Sequence, residues 1–483
     1  MQYQVVLKIV GVLLIIFSTS LIPPILLSYL YDDGATGPFA IAFFVTLLTG
    51  AGLWLFNNHV SKDMRYRDGF MVVVLFWTVL ALYGAIPLYL VHKPLLSFTD
   101  AVFESMSGLT TTGATVLEGI DHLPQSVRYY RQQLQWLGGM GIIVLAVAVM
   151  PMLGVGGMQL FRAETPGPMK DTKLTPRITE TAKALWYIYL GLTVVCAVSY
   201  RLAGMTWFDA VGHSFSTVAI GGFSTHDASL GYFDSMAVDL VAIVFMLIAG
   251  VNFALHFLAW QSKSLVAYVQ DNEVMVFLVG VLAAAVFVIG VLAGYQTFAE
   301  PGELIRQGLL QTVSIATTTG FTTGGYHWWP TFLPVFLVLL SFIGGCAGST
   351  AGGIKVLRIV LLYRQWRREI VRLIHPNAML PLKLGGKPVS DSVSNAVWGF
   401  FSLYMLSFAV LGVVMSATGE DWVTAFSAVA ACLNNLGPGL GEVAQNYSGI
   451  SMSGKWVLCF SMLLGRLELF TLLVLFSGAF WRS

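Results

Sequence analysis

Four short segments of this chain place a glycine where backbone carbonyl groups could bind a cation. These segments, here called elbow loops, are residues 110–114, 219–223, 317–321 and 434–438. Their aligned glycines are Gly113, Gly222, Gly320 and Gly437, separated by 109, 98 and 117 residues. Four equivalent loops in one chain can close into a ring with fourfold pseudosymmetry. Since a ring of carbonyl dipoles can replace the hydration shell of a small cation, the sequence predicts an ion pore.

The backbone, rather than the side chains, is expected to carry this site, because the side chains differ between the four loops. Turning successive carbonyls toward one axis strains the chain, and glycine tolerates that conformation best. Each loop alone could be an ordinary polar turn, but four in phase argue against that reading. The predicted ligands are the carbonyls of Thr111, Thr112, Gly113, Ile220, Gly221, Gly222, Thr318, Thr319, Gly320, Asn435, Leu436 and Gly437. Potassium, which is weakly hydrated, is the expected ion.

The composition indicates an integral membrane protein. The chain has 483 residues, of which 56% are hydrophobic and 11% charged, against about 25% charged in soluble domains. A formal net charge of +1 argues against a nucleic-acid partner, which requires a basic patch. The four cysteines have no metal-ligand spacing and are expected to be small buried hydrophobes. No cofactor is expected in this chain, and potassium is its transported ion.

Ten apolar stretches are long enough to cross a bilayer. They are approximately 5–30, 37–57, 69–91, 133–155, 183–204, 237–260, 273–296, 331–362, 394–417 and 455–480. Lysine and arginine concentrate in one set of loops, which includes Lys62, Arg65 and the cluster 364–372. By the positive-inside rule these loops are cytoplasmic. Both termini are then inside, and all four elbow loops fall on the outer side.

A short amphipathic stretch precedes each elbow loop, at 98–109, 207–218, 305–316 and 422–433. Each is too short to span and is predicted to be a re-entrant pore helix, which requires cover by protein or water. A serine recurs six residues before the aligned glycine in three units, and alanine replaces it in the fourth. The fold class is therefore all-α, with four helix–pore helix–helix repeats after a transmembrane hairpin. The predicted boundaries are 1–68 for the hairpin and 69–160, 161–265, 266–375 and 376–483 for the repeats.

The eighth span is predicted to break within residues 344–353, here called the intramembrane loop. It contains five glycines, and each costs a helix about 1 kcal/mol. A phosphate-binding loop is excluded because Gly353 is followed by Ile354 and Lys355 instead of Gly-Lys-Ser/Thr. Close helix packing through small residues remains the alternative. The residues of the loop are Gly344, Gly345, Cys346, Ala347, Gly348, Ser349, Thr350, Ala351, Gly352 and Gly353.

Arg466 lies near the middle of the last predicted span, where a charge is costly unless it faces water or a partner. It is expected to control gating or rate, with a structural ion pair as the alternative. Glu468, two residues on, lies on a different helix face. Lys355 and Arg358 are expected at the cytoplasmic end of the broken span. They serve there either as positive-inside anchors or as a docking edge for a cytoplasmic partner.

The elbow loops, together with residues 136–141 (WLGGMG), the intramembrane loop and residues 465–468 (GRLE), resemble the Trk/Ktr/HKT superfamily of cation transporters. The length and the leading hairpin are similar to its bacterial branch, which implies a bacterial inner (plasma) membrane protein. The resemblance implies four repeats around one pore, a homodimer, and a cytoplasmic nucleotide-sensing ring, TrkA, that controls opening. It implies that the intramembrane loop obstructs the pore below the filter and that Arg466 faces the pore there. Glycine at all four aligned positions implies potassium selectivity, although the fourth elbow loop lacks the threonines.

The leading interpretation is gated potassium conduction. Symport coupled to protons or sodium is the alternative, and it requires carboxylates within the membrane. Asp239 and Glu468 are the candidates for that role. A membrane-embedded enzyme requires a clustered nucleophile or acid pair, and the predicted spans contain no such cluster.

Overall fold

The computed structural model describes residues 2–59, 65–144, 178–377, 380–384 and 387–481, and these are almost entirely helical. Two-residue strands, Lys383–Leu384 and Lys387–Pro388, pair antiparallel between two helices. The α-helices that begin before residue 260 are Tyr3–Thr19, Ile22–Tyr31, Thr36–Asn57, Tyr66–Leu90, Phe98–Leu109, Gln125–Val144, Ile178–Leu202, Trp207–Ala219, Met236–Ala249 and Phe253–Ser262. The later ones are Val266–Gln270, Asn272–Gly294, Pro301–Ala316, Leu333–Ser341, Val356–Ile374, Asp391–Ser416, Trp422–Leu433, Met452–Arg466, Phe470–Leu473 and Gly478–Trp481.

Six helices of the described residues are long and apolar enough to cross a membrane, and two bent pairs raise the number to eight. The first span, Tyr3–Tyr31, consists of two helices, the second of which begins at Ile22 and has Pro23 and Pro24 in its first turn. The predicted span 133–155 begins within helix Gln125–Val144, and its remainder lies outside the described residues. The architecture confirms the predicted class of an all-α integral membrane protein.

The four pore helices form where the sequence predicts them: Phe98–Leu109, Trp207–Ala219, Pro301–Ala316 and Trp422–Leu433. Ser97, Thr206 and Asp421 precede three of them, and each side chain accepts hydrogen bonds from backbone N–H groups of the first turn. Such N-caps satisfy donors that the helix leaves without partners. The third begins with Pro301, whose missing N–H costs nothing at that position. Local sequence therefore defines where each pore helix starts.

Two spans predicted to be continuous are broken, in addition to the predicted break in the eighth. The span 237–260 bends by 92° between Met236–Ala249 and Phe253–Ser262. The new helix starts there because the Asn252 side chain accepts a hydrogen bond from the Ala254 N–H at 2.8 Å. The span 455–480 bends by 111° after Met452–Arg466, and Glu468 and Leu469 both have positive φ at this bend. Arg466 is thus the last residue of a helix, not a mid-helix residue as predicted.

Candidate ion pathway

The four elbow loops close into a ring. At each aligned glycine, a Cβ atom would collide with a carbonyl oxygen of another elbow loop, so only glycine fits there. The contacts run from Gly113 to Gly221, from Gly222 to Thr319, from Gly320 to Leu436, and from Gly437 to Thr112. Each of these carbonyls belongs to the residue just before the aligned glycine of the next unit. The chain order 1–2–3–4 is therefore also the order around the ring, and the fourth unit closes on the first.

The four loops also share one backbone conformation. The aligned glycines have φ between +80° and +95°, and the residue two positions earlier has φ between +51° and +63° in every unit. In each loop, the N–H of the residue before the glycine donates to the carbonyl six residues before the glycine, at 2.8–2.9 Å. The acceptors are the carbonyls of Ser107, Ser216, Ser314 and Ala431. The contact that all four loops share is accepted by the backbone carbonyl of this recurring position. Alanine can therefore replace serine in the fourth unit without loss of that hydrogen bond.

Two of the predicted ligand carbonyls accept hydrogen bonds from side chains. The Gln135 amide donates to the Gly221 carbonyl at 2.6 Å, and its oxygen accepts from the Phe223 N–H at 3.0 Å. The Tyr447 hydroxyl donates to the Gly437 carbonyl at 2.6 Å. The sequence pointed to neither supporting side chain: Gln135 lies 86 residues from Gly221, and Tyr447, although only 10 residues from Gly437, lies outside the elbow loop.

A buried ion pair braces the side of the ring formed by the residues that follow the aligned glycines. The Arg131 side chain is 1% exposed, and its Nε lies 2.7 Å from Oε1 of Glu104 on the first pore helix. Its guanidinium also donates to the Ser224 carbonyl at 3.1 Å and to the Thr115 hydroxyl at 3.1 Å. Glu104 accepts from the Val116 N–H at 3.0 Å. This pair, which the sequence analysis missed, joins the first unit to the second.

His226 lies in the outer loop of the second unit, between two carboxylates. Its Nδ1 contacts Asp121, from the outer loop of the first unit, and its Nε2 lies 3.2 Å from Asp209. Burial lowers the pKa of His226, but the hydrogen bonds and charges of Asp209 and Asp121 outweigh burial, so the net shift is upward. The cluster therefore favours a protonated histidine that ties two outer loops together.

The intramembrane loop lies directly against the side of the ring formed by the residues that precede the aligned glycines. The Gly352 N–H donates to the Thr318 hydroxyl at 2.7 Å, and a Cβ on Gly352 would collide with the Asn434 carbonyl. Ala351 packs in a buried cluster with Ile220. Residues 351–352 thus contact the second, third and fourth elbow loops.

Arg466 completes this arrangement at the first elbow loop. Its Nη2 donates to the Thr111 hydroxyl at 2.6 Å and to the Thr350 carbonyl at 3.2 Å, and the residue is 7% exposed. The arginine therefore bridges the first elbow loop and the intramembrane loop through neutral oxygens. Glu468 instead pairs with Arg358, with Oε2 and Nη2 2.7 Å apart.

The burial of Lys355 and Arg358 corrects one of the two roles predicted for them at the cytoplasmic end of the broken span, that of a docking edge. Lys355 is 8% exposed and its ammonium donates to the Ala351 carbonyl. Arg358 is 1% exposed, and besides Glu468 its guanidinium lies 4.1 Å from the ring centre of Phe400. Both are turned inward because a carboxylate, a carbonyl and an aromatic face compensate their buried charges. They are not available as a docking edge.

The broken sixth span holds the intramembrane loop from the side. The Cys346 N–H donates to the Gly250 carbonyl at 2.9 Å, and the Phe253 N–H donates to the Gly348 carbonyl at 3.1 Å. Gly344, Gly348 and Gly353 have φ of +68° to +74°, a region that glycine enters without steric cost. The break in the sixth span, which the sequence analysis missed, therefore supplies backbone groups that bind the intramembrane loop in the eighth span.

Glycines in two of the quoted motifs allow helices to approach the pore helices closely. A Cβ on Gly138 would collide with the Leu109 carbonyl, and one on Gly465 with the Leu433 carbonyl. Both carbonyls lie four residues before the aligned glycine of their unit. The motifs at 136–141 and 465–468 therefore have equivalent packing roles in the first and fourth units.

The carboxylates proposed for coupled transport both have arginine partners. Asp239 Oδ2 lies 2.5 Å from Arg306 Nε, and Glu468 pairs with Arg358 as described. Glu273, a buried carboxylate that escaped the sequence analysis, accepts backbone hydrogen bonds from Ala347 and Leu357. Within the described residues, no group of three or more histidines, cysteines or carboxylates could hold a metal ion.

Known proteins share both the sequence pattern and the architecture of this chain. A family model described as "TrkH: Cation transport protein" matches residues 36–483. The Trk system potassium uptake protein TrkH of Halomonas elongata is 55% identical over 486 residues and covers all of both chains. That of Escherichia coli K12 is 52% identical over 483 residues, also covering both chains fully. The crystal structure of the potassium transporter TrkH from Vibrio parahaemolyticus superimposes with a TM-score of 0.93 at 53% identity, over 100% of each chain.

Proposed function

The chain belongs to the TrkH family of cation transport proteins, and we propose that it takes up potassium across the inner membrane. Relatives that match it over their full length at 52–55% identity are potassium uptake proteins. The observation that carries the proposal is the closed ring of elbow loops, in which each aligned glycine meets a carbonyl of the next unit.

The selectivity filter of this proposal is the set of twelve backbone carbonyls predicted from the sequence. A filter made of backbone dipoles suits a weakly hydrated cation, since it replaces water ligands without fixed charge. The shared φ values of the four loops support it. Gln135 and Tyr447 act as outer supports that hold the Gly221 and Gly437 carbonyls in place.

The gate of this proposal combines the intramembrane loop with Arg466. The intramembrane loop lies against the second, third and fourth elbow loops, and Arg466 connects it to the first elbow loop at Thr111. A cation that leaves the ring inward would meet both the obstructing backbone and a guanidinium charge. Opening therefore requires residues 350–352 to move away from the ring, and this movement breaks the hydrogen bond between Thr350 and Arg466.

Control by partners is proposed from the resemblance of the sequence to the Trk/Ktr/HKT superfamily. We propose that the chain works as a homodimer and that a cytoplasmic nucleotide-sensing ring resembling TrkA opens it. Both termini are then cytoplasmic, and the surfaces for the ring are 156–182 and 363–393. The first of these lies largely outside the described residues. The helix Val356–Ile374, which follows the intramembrane loop directly, connects the second surface to the gate.

Potassium symport with protons or sodium is the second candidate. It needs a carboxylate that binds and releases the coupling ion. Asp239 and Glu468 are each held by an arginine, which supports a structural role for both and favours uncoupled flux.

The test is potassium and sodium flux into proteoliposomes that contain the purified chain, compared with Gly113→Ser. A serine side chain at Gly113 would collide with the Gly221 carbonyl, so potassium preference should fall by about tenfold or more. Gly119→Ser is the matched control, because Gly119 also has positive φ (+67°) but has open space at its Cβ.

Equal potassium preference in the parent and in Gly113→Ser would show that the ring does not select the ion. If the parent passes no ion, addition of the cytoplasmic ring must produce flux. Absence of flux under that condition would refute the proposed function.

A further inference from the structure

Glu273 is a buried carboxylate whose side chain is not needed by its own helix. It lies in the first turn of Asn272–Gly294 and is 3% exposed. The cap of that helix is Asp271, whose Oδ1 accepts from the N–H groups of Glu273 and Val274 at 2.9 and 3.1 Å. Since the helix start is already satisfied, the Glu273 carboxylate is free to act on another element.

That element is the intramembrane loop. Oε1 of Glu273 accepts from the Ala347 N–H at 2.7 Å, within the loop, and from the Leu357 N–H at 3.1 Å. Leu357 lies in the first turn of Val356–Ile374, the helix that leaves the loop. One carboxylate oxygen therefore joins the first half of the loop to the helix that follows it, across the nine residues between Ala347 and Leu357.

Burying a carboxylate costs several kcal/mol unless hydrogen-bond donors replace its water. Two N–H groups do so here: Ala347 lies in the intramembrane loop and Leu357 in the helix that leaves it, on either side of residues 350–352. If Ala347 moves with residues 350–352, the side chain of Glu273 loses this donor while it remains in an apolar setting. The arrangement in the structure is therefore stabilised relative to any displaced one by a side chain outside the loop itself.

We infer that Glu273 is a positioning residue that holds the intramembrane loop in its obstructing position. This inference rests on the proposed gate and adds the group that keeps it closed. It does not make Glu273 a ligand of the transported ion, since its two identified partners are backbone N–H groups. Asp271 and Lys355 are the charged groups that act on it.

Cys346 provides a direct measure of the loop position. It lies next to Ala347, is 0% exposed, and is accompanied by three other buried cysteines, Cys196, Cys432 and Cys459. The experiment treats the full-length chain in proteoliposomes with a water-soluble thiosulfonate reagent and locates the modified cysteines by mass spectrometry. The three other cysteines report on whether the fold is intact.

In Glu273→Ala, Cys346 should react at least about tenfold faster than in the parent, because two buried backbone N–H groups lose their acceptor. Potassium flux without any partner should rise, while the preference over sodium is kept. Glu369→Gln is the matched control, since this carboxylate is exposed on the same helix, Val356–Ile374, far from the loop. It should leave Cys346 reactivity unchanged.

An unchanged rate at Cys346 in Glu273→Ala would overturn the inference. If all four cysteines become reactive, the alanine variant has lost its fold, and Glu273→Asp then decides. Aspartate keeps the carboxyl group but is one methylene shorter, so it cannot keep both hydrogen bonds to Ala347 and Leu357 at their present lengths. Cys346 alone should then react a few times faster than in the parent, and an equal rate refutes the role. Because thiol reactivity is read without flux, failure here is distinguishable from failure of the proposed transport.

Discussion

Arg466 could control transport through its charge or through its hydrogen bonds, and substitution of this residue can separate the two effects. Its guanidinium donates to Thr111 and Thr350, so it could act by holding the loop or by repelling cations. At roughly 8 Å and an effective dielectric of about 20, its charge opposes a passing cation by about 2 kcal/mol. That energy corresponds to more than tenfold in rate.

We expect Arg466→Gln to raise potassium flux by about tenfold, because glutamine can keep a hydrogen bond to Thr111 but carries no charge. The measurement is the initial rate of potassium entry into proteoliposomes under an imposed potential. Arg372→Gln, at an exposed arginine of Val356–Ile374, should leave the rate unchanged. A parental rate in Arg466→Gln would mean that the tether, and not the charge, forms the barrier.

At the scale of elements, the two broken spans on the inner side are joined by one ion pair. Arg358 belongs to the helix that leaves the intramembrane loop, and Glu468 to the bend of the last span. Arg358 is buried and Glu468 partly exposed, at 1% and 26% of their side chains. The pair therefore fixes the angle between the helix Val356–Ile374 and the bend of the last span.

A double-mutant cycle with Arg358→Met and Glu468→Gln should give a coupling energy of about 1–3 kcal/mol, because each single change leaves a charge without its partner. The measurement is thermal unfolding of the four variants in detergent. The exposed pair Arg372–Glu369, at 43% and 48%, serves as control and should couple by less than about 0.5 kcal/mol. Equal coupling in both pairs would contradict a joining role for Arg358 and Glu468.

The sequence predicted those elements whose signals are local. Phe98–Leu109 and Trp422–Leu433 have the predicted bounds, because a cap and an amphipathic pattern define each of them. The bend after Arg466 carries no such signal, since Glu468 and Leu469 are not residue types that favour positive φ. Glu273 escaped notice for another reason: its partners lie 74 and 84 residues away. Hydrogen bonds between residues so far apart produce no periodic pattern in the amino-acid sequence.

At the scale of the whole molecule, the described carboxylates bear on whether transport is coupled. Asp239 and Glu468 are bound to arginines, Glu104 to Arg131, and Glu273 to backbone N–H groups. A coupling site must exchange its ion in every cycle, which these partners oppose.

We therefore expect potassium flux to follow its electrochemical gradient alone. Collapsing the pH gradient and replacing sodium by choline should leave the initial rate within about twofold. The measurement is potassium entry at a fixed membrane potential, with internal pH followed by a dye. Proton entry in a constant ratio to potassium would contradict this prediction and support symport.

The ring also determines when during biosynthesis the pathway exists. The Thr112 carbonyl meets Gly437, a residue that the ribosome adds more than 300 positions later. At about 5–20 residues per second, the first elbow loop waits on the order of 15 to 65 s for the neighbour that completes it. A nascent or prematurely terminated chain inserted in the membrane holds only an open arc of carbonyls. A chain that ends before residue 434 therefore lacks the loop that closes the ring.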